Sequence, residues 1–167
     1  MSISNKITPN LWFDREAEQA AAQYIDAFGG QGRIIQTVAA HRGAPSPQDV
    51  PMLVEFELFG QRFVGINGGP QFTFNEAMSL EVRVDDQGEL DRVWAALVDG
   101  GTEMPCGWLK DRYGVSWQVT PARYEELMAG EDDEAKQRLM TAVLATVGKF
   151  DIAALEAAYA GETGSSA

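Results

Sequence analysis

The same order of elements is written twice into this chain, and that repetition constrains the fold more tightly than any other feature. In the first pass, residues 7–13 alternate, with Ile7, Pro9, Leu11 and Phe13 on one side and Thr8, Asn10 and Trp12 on the other. A period of two is that of a strand. Pro9 has no N–H to give a ladder, so it belongs at a sheet edge or a strand end. A helical stripe follows at Ala17, Ala20, Ala21, Tyr24, Ile25 and Phe28, with Asp14 as the expected cap and Gly29-Gly30 as the stop. Residues 33–40 are the next strand, and a loop of residues 41–51 with three prolines leads out of it. In residues 52–58, Val54, Phe56 and Leu58 share one face and Leu53, Glu55 and Glu57 the other. Gly60 turns the chain and residues 63–67 return it as a hairpin. Asn67-Gly68-Gly69-Pro70 then breaks the pattern.

The second pass begins where Met78, Leu80, Val82 and Val84 alternate with Ser79, Glu81, Arg83 and Asp85. Leu90, Val93, Trp94 and Leu97 form a helical stripe ended by Gly100-Gly101. Short strands are expected at residues 102–106 and 107–109, and Val115, Trp117 and Val119 alternate with Ser116, Gln118 and Thr120 in the last. The two passes lie about 60–70 residues apart, the spacing of an internal structural duplication, although few residues are identical between them. A helical tail closes the chain. Thr120 is its expected N-cap and Pro121 its first helical residue, with Tyr124, Leu127 and Met128 on the apolar side. Glu131-Asp132-Asp133-Glu134 is a solvated capping cluster before a helix carrying Leu139, Met140, Val143, Leu144 and Val147. Asp151 caps a last helix with Ile152, Leu155 and Tyr159, and residues 161–167 are expected to fray.

A unit with one helix can bury one sheet face. The other face collects Thr8, Asn10, Trp12, Glu55 and Glu57 in the first pass, and Ser79, Glu81, Arg83, Ser116 and Gln118 in the second. If the sheets curl, these residues line a concavity suited to a small, partly polar ligand. The plainer alternative is the wet face of an antiparallel sheet, which alternates in the same way. Trp94 and Trp117 fall on core stripes, whereas Trp12 and Trp108 are placed to meet a ligand. Glu55, Glu57 and Glu81 are candidates for a carboxylate pair with one raised pKa, the arrangement that acid–base catalysis uses, with neutralisation by Arg83 as the structural alternative. Cys106 is a second catalytic candidate as a thiolate, set against the reading of a small hydrophobe at a strand end. The one histidine, His41, sits in the proline-rich loop, which suits either a lid or a fixed rim.

Several stretches resemble a known group. Trp12-Phe13-Asp14 before an alanine-rich helix, Val54-Glu55-Phe56-Glu57-Leu58 and Asn67-Gly68-Gly69-Pro70-Gln71-Phe72 are similar to the PhnB-like branch of the vicinal-oxygen-chelate (glyoxalase/bleomycin-resistance) superfamily. So are Cys106-Gly107-Trp108-Leu109-Lys110-Asp111, Tyr113-Gly114-Val115-Ser116-Trp117-Gln118 and the tail segment Lys149-Phe150-Asp151-Ile152-Ala153-Ala154-Leu155. The resemblance runs from about Ile7 to Gly161. It implies an α+β fold of two βαβββ modules, residues 1–70 and 71–120, whose curled mixed sheets form a cleft, with a C-terminal helical extension at 121–167. It also implies a homodimer. Members carry a demethylubiquinone methyltransferase label, but no glycine-rich loop joins a parallel strand to a helix here, as a nucleoside-type cofactor site would need. In metal-using relatives the ligands fall, strand for strand, near Thr8, Glu55, Ser79 and Gln118. One strong donor, one weak one and two hydroxyls are a poor set for Zn, Ni or Fe, so neither a metal nor another cofactor is expected.

Charge and composition narrow the partners. A formal charge of −12 and a pI near 4.4 set the chain against nucleic acid and anionic membranes. A single cysteine rules out an internal disulfide. Residues 1–6 lack the apolar run of a signal peptide and no stretch is long enough to span a bilayer, so a cytoplasmic location is expected. The residues taken together lead us to expect a metal-independent homodimer that binds a small molecule through Trp12, Glu55, Glu57, Arg83 and Gln118. Two alternatives stand beside it. One is an enzyme, either a metal-dependent lyase, isomerase or dioxygenase of the superfamily type or a carboxylate catalyst. The other is a dimeric scaffold or regulator that uses the helical tail.

Overall fold

A computed structural model describes residues 6–43 and 46–162. The end of the segment expected to fray (163–167) and two residues of the proline-rich loop, Ala44 and Pro45, lie outside the described residues. The chain divides into two compact units, Met1–Asn75 and Glu76–Ala167.

The first unit runs β1 (Asn10–Phe13), α1 (Ala17–Ala27), β2 (Gly32–Ala39), β3 (Pro51–Leu58) and β4 (Gln61–Asn67), a βαβββ order. Its strands lie β1-β4-β3-β2, with β1 parallel to β4 and the other neighbours antiparallel. The strand expected over residues 7–13 is shorter because Pro9 lends only its carbonyl, which accepts the Val64 N–H at 3.0 Å. Ile7, ahead of it, is left 83% exposed. Alanine-rich α1 has strong intrinsic helix propensity and turns Ala17, Ala20, Ala21, Tyr24 and Ala27 inward. These meet Val54, Phe56 and Leu58 of β3 and Phe63 of β4, all buried. Phe56 and Phe63 face each other across the β3–β4 ladder with their rings stacked at 5.3 Å, and Tyr24 lies 6.3 Å from Phe56. Each such side chain contributes about 1.5–3 kcal/mol on burial.

Asp14 does not cap α1. The helix starts too late for it, and the actual N-cap, Glu16, makes no side-chain capping bond, its carboxylate accepting the Arg15 N–H instead. Asn67, at the far end of β4, supplies the cap instead. Its Oδ1 accepts the Ala17 N–H at 2.9 Å, while its Nδ2 donates to the Pro51 carbonyl at 2.7 Å. One fully buried amide therefore ties the start of α1 to the start of β3.

The second unit repeats the topology with β5 (Leu80–Val84), α2 (Gln87–Val98), β6 (Thr102–Glu103), β7 (Trp108–Lys110) and β8 (Ser116–Pro121), ordered β5-β8-β7-β6. Asp86 caps α2 through the Glu89 N–H at 2.8 Å, and the Glu89 carboxylate returns a bond to the Asp85 N–H at 2.7 Å. Leu90, Val93, Trp94 and Leu97 are buried, as the stripe requires. The strand expected over 102–106 stops at Glu103 because Cys106 and Gly107 both take left-handed backbone (φ 61° and 74°) and turn the chain. Asp111, 3% exposed, braces the β7–β8 turn by accepting N–H bonds from Tyr113, Val115 and the Trp117 indole at 2.9–3.0 Å.

The tail holds α3 (Ala122–Met128), α4 (Asp133–Ala145) and α5 (Ile152–Ala160). Thr120 is still a residue of β8, so Pro121 takes the N-cap position of α3 without a side-chain bond. Asp132 and Asp151 cap α4 and α5. The tail docks on its own unit. Thr146 and Gly148 accept the N–H groups of Cys106 and Gly107 at 3.0 Å each. The Phe150 ring fills the place where a Cβ on Gly107 would stand, at 2.2 Å. Gln87 grips the backbone on either side of Asp151, donating to the Phe150 carbonyl at 3.2 Å and accepting from the Ile152 N–H at 2.9 Å. Among the described residues no helix is long and apolar enough to cross a membrane.

Replacing Asn67 by alanine strands a buried N–H and a partly buried carbonyl, and should lower the unfolding free energy by about 1–3 kcal/mol. Urea denaturation measures this; a loss below about 0.5 kcal/mol would show that water replaces both bonds.

Candidate functional site: the open sheet faces

In each sheet the residues that alternate with the core face away from the unit's own α1 or α2; on the second sheet α3 reaches that side at Arg83, and Ser116 and Thr120 there are buried. Pairing across the first sheet sorts its open face into rows. Trp12 stands opposite Ile66, Ile66 opposite Leu53 and Leu53 opposite Val38, an apolar row crossing all four strands. Beside it run Asn10, Val64, Glu55 and Gln36, and beyond them Arg62, Glu57 and Arg33. Directly opposed side chains lie roughly 4.5–5.5 Å apart, so the face grades from apolar to charged within three rows.

The expected residues behave differently from one another. Trp12 is half-buried and its indole N–H donates to the Gly69 carbonyl at 2.9 Å. Its ring covers Gly68 so closely that a Cβ there would lie 2.1 Å from it, and Phe72 meets the ring edge-on at 4.9 Å. The Asn-Gly-Gly stretch is thus built around this tryptophan, leaving only part of its surface for a ligand. Glu55 accepts from Gln36 at 2.8 Å on one oxygen and pairs with Arg62 on the other. The Gln36 bond foremost, with help from Arg62, holds its pKa below the ordinary 4.5 against the opposing effect of partial burial. Glu55 is therefore an anion at neutral pH, the reverse of the raised carboxylic acid that general-acid catalysis needs. Glu57 pairs with Arg33 at 3.6 Å. The neutralising cations are Arg62 and Arg33, not Arg83. Their register was hidden in the sequence because it depends on where the Phe59-Gly60 turn folds the β3–β4 hairpin.

On the second sheet, Glu81, Gln118 and Trp108 stand opposite one another in a row, and Ser116 stands opposite Lys110. Gln118 donates to the Ser79 hydroxyl at 2.8 Å. Arg83 points away from that row's centre to Glu125 of α3, at 2.6 Å, and so fastens the tail. Cys106 is half-exposed in its left-handed turn, with its N–H held by Thr146, while exposed His41 belongs to the first unit. Thus Trp12, Glu55 and Glu57 share one open face, Gln118 lies on the other, and Arg83 is a structural anchor. The residues missed in the sequence are Gln36 and Arg62, together with Lys110 and its ion-pair partner Glu76.

The positions matching superfamily metal ligands do not make a competent set. Both oxygens of Glu55 already accept, Gln118 is bonded to Ser79, and Thr8 and Ser79 offer only hydroxyls. Among the described residues no three His, Cys, Asp or Glu side chains cluster as a metal would require.

Comparison with known proteins agrees with this architecture. The family model described as 3-demethylubiquinone-9 3-methyltransferase matches residues 5–120, which leaves the tail segment Lys149–Leu155 outside the match. Among solved structures, the PhnB protein from Bacillus cereus is 35% identical, with a TM-score of 0.64, over 71% of this chain and 100% of its own. A protein from Pseudomonas aeruginosa is 24% identical, with a TM-score of 0.56, over 71% of this chain and 98% of its own, a likeness of fold. No curated protein matches the chain.

The state of Glu55 has a consequence for stability. A carboxylate with a lower pKa folded than unfolded stabilises the fold above its unfolded pKa, and that contribution is lost as pH falls through the folded value. Wild type should therefore exceed Glu55→Gln in stability at about pH 7, with the gap closing by about pH 3. Urea unfolding of both proteins at the two pH values checks this; a gap that widens in acid would contradict the assignment.

Proposed function

The chain belongs to the family described as 3-demethylubiquinone-9 3-methyltransferase, and from that membership we propose that this PhnB-like, glyoxalase-fold protein binds a small, partly polar molecule on its open sheet faces. The observation that carries the reading is the row Trp12–Ile66–Leu53–Val38. A face that only meets water is expected to be polar at every uncovered position. This one sets a continuous apolar row, with Val38 39% exposed and Phe72 62% exposed nearby, against a row of hydrogen-bonding groups. Apolar surface with a few fixed polar groups is the composition of ligand sites.

The proposed binding is independent of a metal, because the donors at the superfamily positions are already engaged or weak. Methyl transfer finds no support in the chain. The step from β1 into α1 is Asp14-Arg15-Glu16, with no glycine-rich loop to cradle a nucleoside-type cofactor. We place the function in a homodimer, as the resemblance implies. A scaffold that works through the tail is disfavoured, since the tail spends its backbone and aromatic contacts on its own unit. Leu144 near the end of α4 nevertheless stays exposed, as does Val147, which was expected on this helix but lies past its Thr146 C-cap.

Native mass spectrometry of untagged protein purified without chelator, followed by elemental analysis, tests the reading. The expected result is a dimer with well under one metal ion per chain, carrying a co-purified small molecule. Leu53→Thr should then weaken retention of that molecule about tenfold without unfolding the protein. A stoichiometric divalent ion, or equal retention by the variant, would overturn the proposal.

A further inference from the structure

On the open face of the second sheet, the Ser116 hydroxyl oxygen is buried and has no hydrogen-bond partner among the described residues. Ser116 is 1% exposed. By strand alternation its side chain stands on the face of Gln118, opposite the core residues Trp117 and Val119. A buried hydroxyl that makes no hydrogen bond costs about 1–3 kcal/mol, so its retention calls for an explanation. Around it stand one ammonium and one amide, with the Glu81 carboxylate across the ladder from Gln118. Lys110 is its cross-strand partner, and Gln118 follows two residues along the same strand with one amide hydrogen left after bonding Ser79. Trp108, opposite Gln118, adds a half-buried indole.

What holds the Lys110 ammonium is equally informative. Its partner is the carboxylate of Glu76, which lies in an irregular segment before β5 and keeps 49% of its side chain exposed. Ser79, at the end of the same segment, takes the Gln118 amide. Residues 76–79 thus form a strap pinned at two points around the Ser116 position, and one of the pins is a carboxylate.

We propose that Ser116, Lys110 and Gln118 form a receptor for the carboxylate of a small organic acid, and that Glu76 holds its lysine as an internal substitute in the free protein. This rests on the open-face reading above and names the ligand class for the second sheet. An incoming carboxylate replaces Glu76 on Lys110 and takes the Ser116 O–H, while the attached apolar group lies on Trp108. The chain's net charge of −12 opposes any anion at long range. The holding groups must therefore act at contact distance, inside a Debye length of about 8 Å.

Titration with phenylacetate, followed by calorimetry and by NMR of the indole N–H signals, tests the assignment, with phenylacetamide as the neutral control. Glu76→Gln should tighten phenylacetate binding about tenfold by removing the competitor, and Lys110→Met and Ser116→Ala should each weaken it about tenfold. Ser116→Ala should also raise the melting temperature of the free protein, because it deletes an unpartnered buried hydroxyl while leaving the fold intact. Phenylacetamide should not bind. Equal binding of acid and amide, no tightening in Glu76→Gln, or a lower melting temperature in Ser116→Ala would overturn the proposal. If phenylacetate binding falls in Leu53→Thr and is untouched in Lys110→Met, the carboxylate receptor fails while the open-face reading stands. If phenylacetate does not bind at all, the ligand class is wrong, and the co-purified molecule decides the broader reading on its own.

Discussion

A single helix covers one face of a four-stranded sheet, and this constraint shapes everything else in the molecule. Each βαβββ unit sends its large apolar side chains to the helix side, so Val54, Phe56 and Leu58, or Val82, Val84 and Val119, are lost from water. The residues between them cannot be buried by the same helix. A strand's period of two then places Glu55 and Glu57 or Gln118 on an uncovered face with no further instruction. Those positions contribute little to the core and are free to carry polar chemistry, which is why the proposed binding is placed there.

Keeping such a face open requires the unit to be held together elsewhere. In the first unit this falls to Asn67, which joins α1 to β3, and to Gly68 and Gly69, the first leaving room for the Trp12 ring and the second accepting its indole N–H. In the second unit Asp111 braces the β7–β8 turn and the tail grips the turn at Cys106-Gly107. Motifs such as Asn67-Gly68-Gly69 and Asp111 to Trp117 are therefore rigid supports at the ends of the strands. Their sequence specificity comes from close packing and buried hydrogen bonds, which explains why they mark a fold without naming a reaction. The exposed polar faces between them are where relatives of the same fold can differ.

Local patterns in the sequence carried most of the architecture. The helices at Ala17 and Leu90, the buried strands around Phe56 and Val119, and the caps at Asp132 and Asp151 all depend on neighbours within a few residues. Contacts over long separations were not legible. Asn67 caps a helix fifty residues earlier in the chain, a bond that no pattern local to Asp14 encodes. Cys106 in a left-handed turn ended a strand that composition alone would have continued. At the candidate site, alternation found Glu55, Glu57 and Gln118 but not the partners that define their chemistry. Arg62 and Gln36 reach Glu55 through hairpin register and a β2 bulge, and Arg83 is drawn to Glu125 by a helix beyond the sheet.

The four tryptophans divide cleanly between the two kinds of face. Trp94 and Trp117 are buried, with their indole N–H groups on Glu103 and Asp111, while Trp12 and Trp108 are half-buried on the open sides. Their indole resonances, assigned by single Trp→Phe replacements, are the most direct probe of where binding occurs. On addition of a mixed set of small acids, amides and amino acids, the account predicts concentration-dependent shifts of Trp12 or Trp108, with Trp94 and Trp117 unmoved. Shifts confined to the core pair, or binding by any of these compounds that leaves both open-face signals unchanged, would contradict it.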